Sequence, residues 1–215
     1  MLRSKKKRKK INNSLSGKVI IIIIAFMFCC SILWTAVMLV NMTRNASRNA
    51  LNDEIAYMQS VESNAKSVVE VCNLATQVVS EMHSVLDYIK TVQNGNDYES
   101  VKKIEFYNNE IGSINNMTNV NPYLYQIRLF VNADITEKKP CFYDIDRLNN
   151  MEWAKYFKDN QWQIDYKDSV FADNRNDNIH LAGIVSNIKD DNDNLLAVLE
   201  VSTQIENLFT DFYNK

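Results

Sequence analysis

The apolar and polar positions of this chain pass through three regimes. Residues 19–40 (VIIIIIAFMFCCSILWTAVMLV) carry no charge and show no alternation. From Met58 to Ile89, apolar or small side chains recur in alternating steps of three and four. Beyond Pro122 the period falls to two. These regimes predict, in turn, a membrane-crossing helix, a long amphipathic helix and a sheet.

The first regime is 22 residues long. At a helical rise of 1.5 Å it spans roughly 33 Å, against a hydrocarbon core of about 30 Å. Arg3, Lys5, Lys6, Lys7, Arg8, Lys9, Lys10 and Lys18 precede it with no acid among them, and only Arg44 and Arg48 follow closely. Excess basic charge marks the cytoplasmic flank of a span. Residues 1–18 are therefore expected as a cytoplasmic tail, 19–40 as a single-pass anchor, and the remainder outside the cell. A cleaved leader would have an apolar core of about 7–15 residues and a small-residue cleavage site. This run is longer, and NMTRNAS follows it without such a site.

The second regime has a seam of Met58, Val61, Ala65, Val68, Cys72, Ala75, Val79, Met82, Leu86 and Ile89, and residues 44–92 contain no Gly or Pro. One helix is expected over Leu51–Val92, and its 3.5-residue period favours left-handed packing on a partner. Two partners fit the seam. One is the same seam of a second copy, in a parallel homodimer; the other is the chain's own second helix and sheet. A dimeric membrane-near part with the rest packed intramolecularly combines them. Asn94-Gly95 suits a helix C-terminus, because glycine adopts the left-handed conformation without strain. Asp97 suits the N-cap of a second helix, carrying Val101, Ile104, Ile111 and Ile114 and ending near Asn115. The two helices occupy 41–117.

In the third regime, residues 118–215, NPYLYQIRLFVN reads as a strand. Tyr123, Tyr125, Ile127, Leu129 and Val131 share one face, and Leu124, Gln126, Arg128 and Phe130 share the other. Cys141–Tyr143 and QWQIDY are further strand candidates. LNNMEWAKYFK (148–158) reads as a short helix with Met151, Ala154, Tyr156 and Phe157 partly buried, and ADNRNDN as a polar loop. HLAGIVSNI and LLAVLEVS form an antiparallel hairpin, and TQIENLFTDFYNK begins an amphipathic helix with Ile205, Leu208, Phe209 and Phe212. The fold class is α+β, with helices on one face of an antiparallel sheet.

Composition and charge remove several functions. The net charge of −2 hides a basic tail joined to an acidic body, which argues against nucleic acid as a partner. Four glycines and no phosphate-binding motif argue against a nucleotide cradle. His83 and His180 have no metal-ligand spacing, and Cys72 and Cys141 make no disulfide framework. Asp190-x-Asn192-x-Asn194 starts like a calcium loop but lacks its glycine and ends on Val201, so it reads as a solvated hairpin turn. Neither a catalytic constellation nor a cofactor or metal site is expected, and the chain is not read as an enzyme.

The basic start, single anchor, heptad helix, NPYLYQIRLFVN, the Trp-bearing MEWAKYF, the further QWQ and the ending IVSNIKDDNDNLLAVLEVSTQIENLF together resemble the extracellular sensor of YesM-type sensor histidine kinases. The resemblance covers nearly the whole chain through order and texture rather than invariant motifs. It implies a double-Cache region, with a PAS-like sheet on a long helix as its membrane-distal lobe. It also implies truncation before a membrane-proximal lobe, a second transmembrane helix, a HAMP linker and the kinase module. By this resemblance the chain is the sensing region of a two-component receptor. An extracellular solute, such as a carbohydrate or another nutrient, or a solute-loaded binding protein, biases the lobe and shifts the helix through the membrane. A chemoreceptor, a cyclic-dinucleotide enzyme and an anchored coiled-coil structural protein are the alternatives.

PAS-like sensors hold solutes on the sheet face away from the long helix. By alternation that face carries Gln126, Arg128 and Phe130, with Trp153 on the short helix and Tyr143 and Trp162 flanking it. Aromatic faces stack on the apolar faces of sugars, and a guanidinium pairs with a carboxylate in two-pronged fashion. The competing reading has Arg128 paired with a nearby acid and the tryptophans filling the core.

Overall fold

The computed structural model describes residues 15–95, 100–132, 141–168, 179–190 and 192–209. The chain divides into two compact units, Met1–Tyr57 and Met58–Lys215. Helix α1, Leu15–Ser80, runs through both. Its portion in the first unit contains the apolar run, with an 18-residue window of mean hydropathy 2.7 and none of that window buried. By length and composition it is able to cross a membrane or serve as a signal anchor.

The second unit is an α+β domain. After α1 come α2 (His83–Gln93), α3 (Ser100–Phe106), a π-helical turn (Tyr107–Ile111) and α4 (Gly112–Val120). Strands β1 (Gln126–Val131) and β2 (Phe142–Asp144) follow, then two 3-10 turns (Ile145–Asn150 and Glu152–Lys155), β3 (Gln161–Lys167), β4 (His180–Lys189), β5 (Leu195–Gln204) and the short α5 (Ile205–Leu208). The five strands form one sheet in the order β2-β1-β5-β4-β3. Against the expected all-antiparallel sheet, it is mixed: β2 pairs with β1 in parallel. Parallel neighbours cannot be joined by a tight hairpin turn, and most of the β1–β2 connection, 133–140, lies outside the described residues.

The sheet separates two cores. On one face, α1–α4 pack through Val68, Cys72, Val79, Val85, Tyr88, Ile89, Phe106, Ile111 and Ile114 onto Ile127, Leu129, Val131, Leu199 and Val201. Tyr88 is the hub of this layer, stacked on Phe106 at 4.1 Å and edge-on to Phe142 at 5.7 Å. On the other face the 3-10 turns bring Met151 and Trp153 onto Phe130, Tyr143, Tyr166, Leu181, Val185 and Val198. The expected single helix over 148–158 is replaced by these two turns, because Met151 between them is extended (φ −88°, ψ 125°). Tyr156, expected to be partly buried, is 82% exposed.

The seam residues divide by environment. Val61, Val68, Cys72, Ala75, Val79 and Ile89 are buried within the chain itself, Ala65, Met82 and Leu86 are half-buried, and Met58 is exposed. The expected continuous helix is broken after Ser80, where Met82 is extended and accepts the first turn of α2. No Gly or Pro marks this place. Packing supplies the cause: the break swings Val85, Tyr88 and Ile89 onto the sheet, where an unbroken heptad would have aimed Met82 and Leu86. Gly95 has φ +69°, the left-handed conformation expected after α2.

Further along, the π turn inserts one extra residue, so that Ile111 follows Phe106 into the core while Ile104 is 61% exposed. The second helical stretch runs on to Val120 rather than Asn115. Asp97, the Val101 side chain, the loop over 172–178 and Phe212 lie outside the described residues.

The hairpin turn behaves as the sequence reading expects. Asp190 Oδ1 accepts from the backbone N–H groups of Asn192 and Asn194, Oδ2 accepts from the Asn194 amide, and Asp193 takes a left-handed φ of 67°. Hydrogen bonding from Asn194 holds the Asp190 carboxyl below its usual range.

Cys72 and Cys141 both lie in the α1-facing core, and burial pushes each thiol up to about 12. Native protein is therefore expected to leave both unmodified by iodoacetamide at pH 8 and to form no Cys72–Cys72 cross-link under mild oxidation. Both thiols should react once the domain is unfolded in guanidinium. Alkylation at the native rate of an exposed thiol would refute this packing.

Candidate functional site

Strand pairing builds the face away from α1 row by row. Arg128 on β1 lies directly opposite Glu200 on β5, Gln126 opposite Ser202, and Phe130 opposite Val198. Side chains directly opposite share a face, so the strand expected to carry Gln126, Arg128 and Phe130 outward does so, and β5 answers with a carboxylate and a hydroxyl. Tyr143 arrives from β2, in register with Phe130, and Trp153 from the second 3-10 turn.

Tyr166 reaches this face only through a bulge. Trp162 pairs with Ile184 and Ile164 with Ala182, toward α1; strict alternation would send Tyr166 the same way. The register shifts between Ile164 and Tyr166, with Asp165 the extra residue at φ 59°. That inverts the alternation and turns Tyr166 toward Arg128 and Glu200. Gly183 leaves the space: a Cβ there would meet the Tyr166 hydroxyl at 2.8 Å and the Val201 carbonyl at 2.7 Å.

The result is a buried charge network. Arg128 is 5% exposed and donates from Nη1 and Nη2 to the two carboxylate oxygens of Asp168 at 2.8 and 2.7 Å. Its Nη1 lies 3.7 Å from Glu200 Oε2, and its guanidinium carbon lies 5.7 Å from the Tyr143 ring centroid. Tyr166 donates to Glu200 Oε1 at 2.6 Å. Burial would lower the Arg128 pKa, but the Asp168 hydrogen bonds and the charges of Glu200 and Asp168 outweigh it, and the net shift is upward. Burial raises the Glu200 carboxyl against the pull of Arg128 and Tyr166. The Tyr166 hydroxyl is raised by burial and by the Glu200 charge.

Several atoms of this face are left over. Gln126 Nε2, Arg128 Nε, Trp153 Nε1, Glu200 Oε2 and Ser202 Oγ are buried without a well-formed hydrogen bond among the described residues, although Gln126 lies against Glu200, Ser202 against Tyr166, and Glu200 Oε2 faces Arg128. A buried polar atom without a hydrogen bond costs about 1–3 kcal/mol; Arg128 Nε and Trp153 Nε1 are donors left over on this face, which a bridging water or a polar solute would satisfy.

Of the six residues singled out from sequence, five gather here: Gln126, Arg128, Phe130, Tyr143 and Trp153. The sixth is a correction. Trp162 packs against the α1-facing core, because it precedes the bulge and keeps the alternation of Ile184. There it lines a groove of about 640 Å³ between α1 and the β3–β4 edge. Asp168, Tyr166 and Glu200 were missed by the sequence reading. An acid inside the apolar run LLAVLEV was the one available signal; nothing announced the bulge. Among the described residues, no group of three or more His, Cys, Asp or Glu side chains is placed to hold a metal ion.

Compared with models of known families, with curated proteins and with solved structures, the chain matches none.

Proposed function

We propose that the chain is the extracellular sensing region of a membrane-bound two-component receptor of the YesM type, with the Met58–Lys215 unit acting as a PAS-like Cache lobe. The carrying observation is the buried polar face around Arg128, with the donors Arg128 Nε and Trp153 Nε1 left over. A domain selected for stability alone fills such a face with apolar groups, since buried ion pairs are weak stabilisers. A face that receives a small polar solute keeps these groups.

The continuous helix α1 supports the output side of this reading. The same helix carries the apolar run and, from Val68 onward, side chains buried against the sheet. A solute that binds one packing of that helix better than another moves the equilibrium by its differential affinity. Burial of much of the seam in the chain's own core favours a sensor over an anchored coiled coil.

Two measurements test the proposal. In intact cells, a membrane-impermeant amine reagent should label Lys138 and Lys139 and spare Lys5–Lys10; the reverse pattern overturns the orientation. For sensing, the full chain in nanodiscs is melted against a library of small extracellular solutes. At least one should raise the melting temperature of the wild type and not that of Trp153→Phe, which keeps the ring packing but removes the indole N–H. Stabilisation by none of them removes the sensing role.

A further inference from the structure

The α1-side groove is separated from the Arg128 face by the full thickness of the sheet. One wall is α1, through Asn73 and Gln77; the other is the β3–β4 edge, through Asp159, Asn160, Trp162 and Ser186. Its volume of about 640 Å³ lies inside the range of about 300–1,000 Å³ typical of small-molecule sites.

The lining specifies a chemistry. Among the described residues, no Lys, Arg or His lines the groove and Asp159 is its one charged lining residue; Lys189 acts on Asp159 only through its charge, so phosphates and carboxylates find a carboxylate and no cation in the lining itself. The Asp159 side chain is already held, accepting the Asn187 backbone N–H at 2.7 Å. Amides and hydroxyls dominate the rest. Side chains of Asn73, Asn160 and Ser186 make no hydrogen bond among the described residues, which leaves donors and acceptors of both kinds directed to whatever fills the groove. Trp162 is half-buried against the core and lines the groove, and Ile184 lies beside it. An apolar aromatic surface bordered by neutral planar amides and hydroxyls suits a ligand with apolar C–H faces and a hydroxyl rim.

We infer that this groove is a second binding site, for an uncharged, hydroxyl-rich small molecule that bridges α1 and the β3–β4 edge. Trp162 provides the platform, Asn73 and Gln77 grip from the helix, and Asn160 and Ser186 from the sheet. Because the two walls belong to different elements, the bound molecule fixes the spacing between them. Occupancy favours whichever packing of α1 on the sheet holds both walls at once.

The test uses the full chain in nanodiscs and titration calorimetry with maltose, cellobiose, sucrose and myo-inositol. Sodium phosphate, succinate and glycine betaine serve as counter-probes. At least one hydroxyl-rich probe should bind saturably and the counter-probes should not. Asn73→Ala and Gln77→Ala, both at exposed helix positions, should each weaken binding about tenfold with an unchanged melting temperature. Trp162→Phe should weaken it similarly, and Trp153→Phe, on the opposite face, should leave it alone. Binding of none of the four, binding unaffected by both Asn73→Ala and Gln77→Ala, or binding of the counter-probes only overturns the inference. Nanodisc titration is blind to orientation, and the variants tell the two faces apart: binding lost in Trp153→Phe but kept in Asn73→Ala and Gln77→Ala belongs to the Arg128 face, so failure here leaves the sensor reading standing.

Discussion

Arg128→Ala is expected to destabilise the Met58–Lys215 unit by about 3–5 kcal/mol, because it strands two carboxylates in a buried site. Asp168 loses both of its hydrogen bonds from Arg128, and Glu200, fully buried, loses the cation 3.7 Å away. Against a typical domain stability of about 5–15 kcal/mol this is a large fraction. The loss depends on pH in a stated direction. Glu200 already titrates above its ordinary value in the folded protein, and removing Arg128 raises it further. A carboxyl whose folded pKa lies above its unfolded one stabilises the fold below the unfolded pKa, and that contribution is lost as pH rises through the folded pKa. The deficit of the variant should therefore be largest near neutrality and shrink on acidification. Urea titration of the nanodisc-held chain at several pH values reads both quantities. Adding Asp168→Asn and Glu200→Gln should recover most of the loss, since neutral amides are far cheaper to bury. An Arg128→Ala protein as stable as the wild type would show that the network contributes nothing.

Gly183→Ala is expected to be comparably severe, although only one methyl group is added. Its Cβ would sit 2.7 Å from the Val201 carbonyl, 2.8 Å from the Tyr166 hydroxyl and 2.9 Å from Ser202 Cβ. The carbonyl belongs to the β4–β5 ladder and the Ser202 carbon to a buried strand, so neither yields cheaply. Overpacking costs about 1–3 kcal/mol. Displacing the Tyr166 hydroxyl also deprives Glu200 Oε1 of its donor, at about 1–3 kcal/mol more. Tyr166→Phe isolates the second contribution, and the double variant should lose less than the sum of the singles, because both act on one hydrogen bond. If Gly183→Ala alone melts within a degree of the wild type, the close approach described here is wrong.

How much of this was legible in the sequence depended on how local the cause was. The two faces of β1 could be read from alternation because both are enforced over Gln126–Val131, with Ile127, Leu129 and Val131 toward the helices and Arg128 and Phe130 away. The alternation fails just before, where Leu124 joins the helix-side core. The chain is turning there: Leu124 N–H donates to the Asn121 carbonyl, and the Asn121 side chain accepts from Tyr123 N–H. The break at Met82 and the π turn at Tyr107–Ile111 left no local mark, because both fit side chains into a core shared with strands much later in the chain. For the polar face, Arg128 was visible as a polar residue on a strand. Its partner Asp168 became visible only once β3 was placed beside β4 in the folded sheet.

Asp165 works as a phase inserter in β3. Upstream of it the strand addresses the α1 side through Trp162; downstream it addresses the charge network through Tyr166. A single edge strand thus borders two chambers that the sheet otherwise isolates. A displacement of β3 along its own axis would move the groove wall and the Glu200 hydroxyl donor together. The sequence position of one extra residue thus ties a wall of one chamber and a hydrogen-bond donor of the other to the same strand.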